Sequence, residues 1–118
     1  MCRALENEAR YDTPDRHGET RRQRNERFGA ESPRVRPPQN GRYLWEWYAD
    51  AAATRRMDEG MPQLLTPQEW QAWAEINGEI VRKEEFAVLM QMDRAFVYAM
   101  RKELNEQRQR EADKQRSR

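Results

Sequence analysis

The sequence carries little of what chemistry needs. It has one cysteine, Cys2, and one histidine, His17, so no internal disulfide can close and no zinc site of the usual four-ligand kind can be assembled. Both serines, Ser32 and Ser117, fall outside residues 39–104, where nearly all large apolar side chains lie. That stretch therefore has no serine nucleophile for acyl transfer. No apolar run approaches the roughly 18 residues that cross a membrane. The opening residues turn polar at once, without the apolar core of a secretory leader or the apolar run that precedes a lipoprotein cysteine. The expectation is a non-enzymatic chain with no cofactor and no metal, suited to a reducing compartment. Net charge is only +1, so no overall field draws the molecule to nucleic acid or an anionic membrane.

What is present is charge and tryptophan. Charged residues make up 36% of the 118 positions and mean hydropathy is −1.30, against about 25% charged in an ordinary globular protein. One domain is expected at this length, organised as an all-α fold: a small three-helix domain with disordered or extended charged arms at both ends. Residues 1–38 hold nine arginines and seven acids, and few large apolar side chains, a composition that does not offset its ordering entropy. This reads as a flexible arm that ends in a Pro-rich linker, with polyproline II expected over Ser32–Pro38. Residues 39–104 form the three-helix domain, and residues 105–118 a charged tail that prolongs the last helix and frays for want of anything to pack against.

Within the domain, Asn40 is the expected N-cap of a helix over about 41–58, with Leu44, Trp47, Tyr48, Ala51 and Arg55 on one face. Thr66-Pro67-Gln68-Glu69 is a capping box with Pro at N1, and Asn77-Gly78 supplies a left-handed stop, which sets a second helix at about 67–76. It turns Trp70, Trp73 and either Ala74 or Ile76 inward. A third helix from about Arg82 carries Phe86, Leu89, Met90, Phe96, Val97, Met100 and Leu104 on its stripe. Asp93 falls on that stripe, and a buried charge needs partners, so Asp93 is expected to act as a polar lock. Candidate donors are a tryptophan Nε1, the free amides that open the second helix, Arg55 and Arg56. The structural residues are therefore Thr66, Trp70, Trp73, Gly78 and Asp93. Four aromatics within Tyr43–Tyr48 cannot all face one core, which leaves Trp45 as the ring expected outside. Trp45, Met57, Met61 and Met92 are the candidate partner-binding residues, since thioethers suit an adaptable surface.

The second and third helices have the outline of a helix-turn-helix. Glu84 then stands where an apolar residue should lock the second helix, and Trp73 is bulky at the crossing, so nucleic-acid binding is the weakest of the readings. A further reading comes from Tyr43-Leu44-Trp45-Glu46-Trp47-Tyr48, then Arg55, Gly60-Met61-Pro62, Leu65-Thr66-Pro67-Gln68-Glu69-Trp70-Gln71-Ala72-Trp73, Gly78, Glu85 and Met92-Asp93. This order resembles small tail assembly chaperones and related tail-region proteins of tailed bacteriophages, over about residues 38–100. The resemblance implies a helical protein of the host cytoplasm that binds the tape measure protein during tail assembly. The alternative it leaves open is a structural virion protein of the tail or head-tail connector, whose arms order on neighbouring subunits. The long arginine-rich N-terminal arm departs from the family pattern.

Overall fold

The computed structural model describes residues 2–34 and 41–117. Its elements run α1 (Cys2–Tyr11), α2 (Arg21–Arg27), α3 (Arg42–Ala52), β1 (Met57–Asp58), β2 (Met61–Pro62), α4 (Pro67–Asn77) and α5 (Lys83–Arg116). The protein is mostly helical. The described residues hold five helices rather than three, and the additional two lie in the segment expected to be disordered. No helix among the described residues is long and apolar enough to cross a membrane.

α5 is the backbone of the fold. Its 34 residues run through nearly the whole molecule, whose longest extent is 54 Å. At its start the Arg82 amide donates to Glu85 Oε1 at 2.9 Å, and Glu84 and Glu85 sit in the first turn, where the helix dipole favours acids. The tail does not end it. The helix continues through the polar residues after Leu104 to Arg116 because the N-terminal segment lies against it. Gln107 Nε2 donates to the Thr13 carbonyl and Arg16 pairs with Glu111 at 2.6 Å.

α1 docks on α5 through Ala4, Leu5 and Ala9, all buried. Two of these three are alanine, so the helix approaches closely with few large side chains, and Leu5 joins Leu44, Tyr48, Ala51, Leu65, Trp70, Leu89 and Met92 in one apolar cluster. The core thus crosses the boundary that composition suggests at residue 38. α2 begins at a capping box of Thr20 and Gln23 and buries none of its own residues. It is tied down by arginine instead, Arg21 pairing with Glu103 at 3.0 Å and Glu106 at 2.9 Å on α5. The linker expected over Ser32–Pro38 lies outside the described residues from Val35 onward, and so does the Asn40 cap.

α3 stops at Ala52, short of the expected 58, because a β-ribbon follows. Glu59 and Gly60, at φ 51° and 78°, form a two-residue turn of the type that matches strand twist, and Met57 pairs with Pro62 and Asp58 with Met61. Arg101 Nε donates to the Pro62 carbonyl at 3.0 Å and Arg108 Nη2 to the Glu59 carbonyl at 2.6 Å, which lashes the ribbon to α5. α4 starts at Thr66, whose side chain accepts from the Glu69 amide while Glu69 accepts from the Thr66 amide, with Pro67 at the first position. It ends at Gly78 with φ 67°, a conformation that glycine adopts without steric cost.

Candidate protein-binding surface

A fixed frame underlies the surface. Asp93 is fully buried, and its carboxylate receives three donors. Arg55 Nη2 reaches Oδ1 at 2.6 Å, the Tyr48 hydroxyl reaches the same oxygen at 3.0 Å, and the Leu65 amide reaches Oδ2 at 2.8 Å. Three segments therefore meet at one carboxylate: α3 with its exit, the loop entering α4, and α5. Arg55 also donates to the Gln63 carbonyl at 2.8 Å. Burial, the largest cause, raises the Tyr48 hydroxyl well above the usual phenol range, so it remains a neutral donor. No tryptophan Nε1 reaches Asp93. Trp73 Nε1 donates to Asp50 at 2.7 Å, and Trp70 Nε1 is buried without an acceptor.

Around this node the aromatic rings form a chain. Tyr43 meets Trp47 edge-on at 5.2 Å, Trp47 meets Trp73 at 6.0 Å, Trp73 meets Trp70 at 6.0 Å, and Tyr48 lies 6.4 Å from Trp70 and 6.2 Å from Phe96. All but the tilted Tyr48–Trp70 pair, whose planes lie 33° apart, meet edge to face, a geometry that adds about 0.5–1.5 kcal/mol per pair beyond area burial. Trp70 is the buried ring of α4, and Trp73 is half-buried. Tyr43 also donates to Glu85 Oε2 at 2.6 Å, joining the start of α3 to that of α5. That hydrogen bond, first, and the Arg82 amide next hold the Glu85 carboxyl below its ordinary range.

The four residues expected to bind a partner divide. Met57 is 51% exposed on β1, and Met61 is half-buried on β2. Trp45 is only half-buried and packs against the core cluster, bordering a cavity of about 280 Å³ with Leu5, Glu8 and Phe96. The ring that sequence places outside shares cavity walls with Ala4, Leu5, Asn7 and Glu8 of α1. Met92 is a correction: it is 0% exposed and belongs to the core. α5 is packed by α1 as well as by α3, so its buried arc is wide enough to take in Met92 beside Asp93.

The clearest apolar exposure lies elsewhere. Ile76 and Ile80 are 85% and 86% exposed on either side of the Asn77-Gly78 turn, so Ala74 and not Ile76 faces inward. A groove of about 260 Å³ runs between α4 and the start of α5, lined by Pro67, Trp70, Ala74, Val81 and Phe86 and bordered by Glu75 and Glu79; the two isoleucines are sequence neighbours of its lining and not part of it. A sequence signal existed for this surface. Two isoleucines flank a turn, and the buried face of α4 is already filled by Trp70, Trp73 and Ala74. No group of three or more His, Cys, Asp or Glu among the described residues could hold a metal ion. No protein-family model, curated protein or solved structure matches the chain.

Proposed function

We propose that the protein is a non-enzymatic phage tail assembly protein, a chaperone that binds the tape measure protein during tail morphogenesis in the host cytoplasm. The observation that carries this reading is the α4–α5 corner, where Ile76 and Ile80 stand in water and an apolar groove opens between the two helices, while the same small protein buries Asp93 and Glu103. Large aliphatic side chains left out of so small a core suit a partner's surface. The binding unit is the three-helix part, α3, α4 and the first half of α5, with Met57 and Met61 on the ribbon as further adaptable apolar contacts. An amphipathic helix fits such a groove through anchors at three-and-four spacing, and Glu75 and Glu79 at the rim favour one whose apolar face is flanked by Lys or Arg.

The family resemblance supports the choice of partner. The residues on which it rests hold the frame together: Tyr48, Arg55, Leu65 and Asp93 meet at one node, and Tyr43 meets Glu85. Co-expression with the tape measure protein and pull-down should recover a complex that Ile76→Asp with Ile80→Asp disrupts without loss of helicity. Reproducible absence of that complex, with the protein found by mass spectrometry as a stoichiometric part of purified particles, would instead mark it as a structural virion protein.

A further inference from the structure

A second surface has the opposite chemistry. Between the α1–α2 loop and the C-terminal half of α5 lies a cleft of about 360 Å³, into which Arg16, His17, Arg24, Arg108, Arg110 and Lys114 contribute. Its volume is within the usual range of small-ligand sites. The two acids that also line it, Asp15 and Glu111, are already engaged. Asp15 Oδ1 accepts from the His17 amide at 2.8 Å and the Glu19 amide at 3.0 Å, and Glu111 pairs with Arg16 at 2.6 Å.

The cations are less well served. Among the described residues neither Arg24 nor Lys114 takes part in an ion pair, and Arg110 comes no nearer to an acid than 3.9 Å from Glu103 Oε1. We propose that this cleft binds a small phosphate-class oxyanion, held by Arg24 from α2 and by Arg110 and Lys114 from α5. The anion would bridge the N-terminal segment and α5 and so clamp one to the other.

The charge balance makes the case. Residues 1–38 carry nine basic against seven acidic side chains, and residues 105–118 carry five against three, so the fold docks two segments of like net charge. Glu103 and Glu106 neutralise Arg21 at one point of contact, which leaves the surplus cations at the cleft. Arg110 is accordingly held below the usual guanidinium range, first by its loss of water and then by Arg24 and Arg21. A polyvalent anion among these groups converts repulsion into attraction, and the guanidinium fork matches phosphate oxygens in pairs. A nucleic-acid strand fits less well, because Glu103, Glu106, Glu111 and Asp113 interrupt α5 and leave no continuous basic track along it.

Inorganic pyrophosphate is the probe, with the full chain and sodium chloride at matched ionic strength as the reference. Calorimetry should give saturable binding at one site per chain. Pyrophosphate should also slow modification of Cys2, which lies half-buried against the core on α1. Arg24→Gln with Lys114→Gln should weaken binding by up to about a hundredfold, each lost charged hydrogen bond being worth about tenfold, and should leave the ligand-free thermal melt in place or raise it slightly, because two mutually repelling cations are removed. The proposal is overturned by an equal effect of chloride or by undiminished binding to the double variant. It is also overturned if a single-stranded oligonucleotide binds at the cleft and pyrophosphate does not.

Discussion

Two buried carboxylates, ten residues apart on α5, anchor two different coverings of that helix, and they are served very differently. Asp93 has both oxygens filled, by Arg55, Tyr48 and the Leu65 amide, inside a shell of aromatic rings. Glu103 is equally buried at 1% exposure. Its Oε2 accepts from Arg21 Nε at 3.3 Å and Nη2 at 3.0 Å, while Oε1 has no hydrogen-bond partner. Around it stand charged side chains: Arg21, Arg110 and, through Glu106, Arg10. A saturated carboxylate in an aromatic shell fixes a frame, whereas the covering over the half-served one rests on arginines and on the few apolar contacts of α1. The two halves of the helix should therefore differ in how firmly their coverings are held.

Asp93→Ala should produce the largest effect. It leaves a buried guanidinium, a hydroxyl and an amide without their acceptor and should cost about 3–5 kcal/mol by chemical denaturation. A loss below about 1 kcal/mol would remove the contrast between the two carboxylates. Trp70→Ala should cost a similar amount, about 3–5 kcal/mol, as a buried tryptophan does. Trp73→Ala should cost visibly less, because that ring is half-buried. If the two tryptophans rank the other way, the inner face of α4 has been misassigned.

Arg21→Gln sharpens the comparison from the other side. It removes the main partner of Glu103 at a cost of about 1–3 kcal/mol, and the loss should be local. Cys2 should react faster with a thiol reagent while the near-ultraviolet dichroism of the tryptophan shell stays unchanged. Loss of that signal in the same variant would mean that the two halves unfold as one unit.

The smallest effect belongs to acid. The Thr66 amide, first, and Arg56 next hold the Glu69 carboxyl below its ordinary 4.5. With the folded value depressed, its contribution is complete above the unfolded value and is lost as pH falls through the folded one. Glu69→Ala should therefore flatten a small part of the stability decline below about pH 4.5, measured as melting temperature against pH.

How much of this could be read from sequence follows the range of each interaction. The start of α4 was legible because Thr66, Pro67 and Glu69 settle it within one turn, and its end because Gly78 needs only its own backbone. The burial of Asp93 could be read from its place on a helical stripe, although which donors reach it depends on α3. The N-terminal segment was not legible. α1 buries two alanines and one leucine, a signal too weak to stand out among nine arginines and seven acids. Its tether to Glu103 joins residues 82 apart. Met92 was misread for a related reason, since the arc of α5 that is buried widens once α1 covers it. The isoleucine corner is not legible because helical periodicity marks which residues face in and says little about apolar residues left over.

A single helix serving both halves has a consequence for its own backbone. The amides of α5 form one uninterrupted ladder from Lys83 to Arg116, yet they lie under two coverings of different strength. Hydrogen exchange along α5 should therefore be graded. Amides near Leu89 to Val97 should exchange only through global unfolding. Those beyond Leu104 should exchange through release of α1 and α2, at a rate set by how firmly the N-terminal segment is held. The exchange profile of one helix would then report the release of two others.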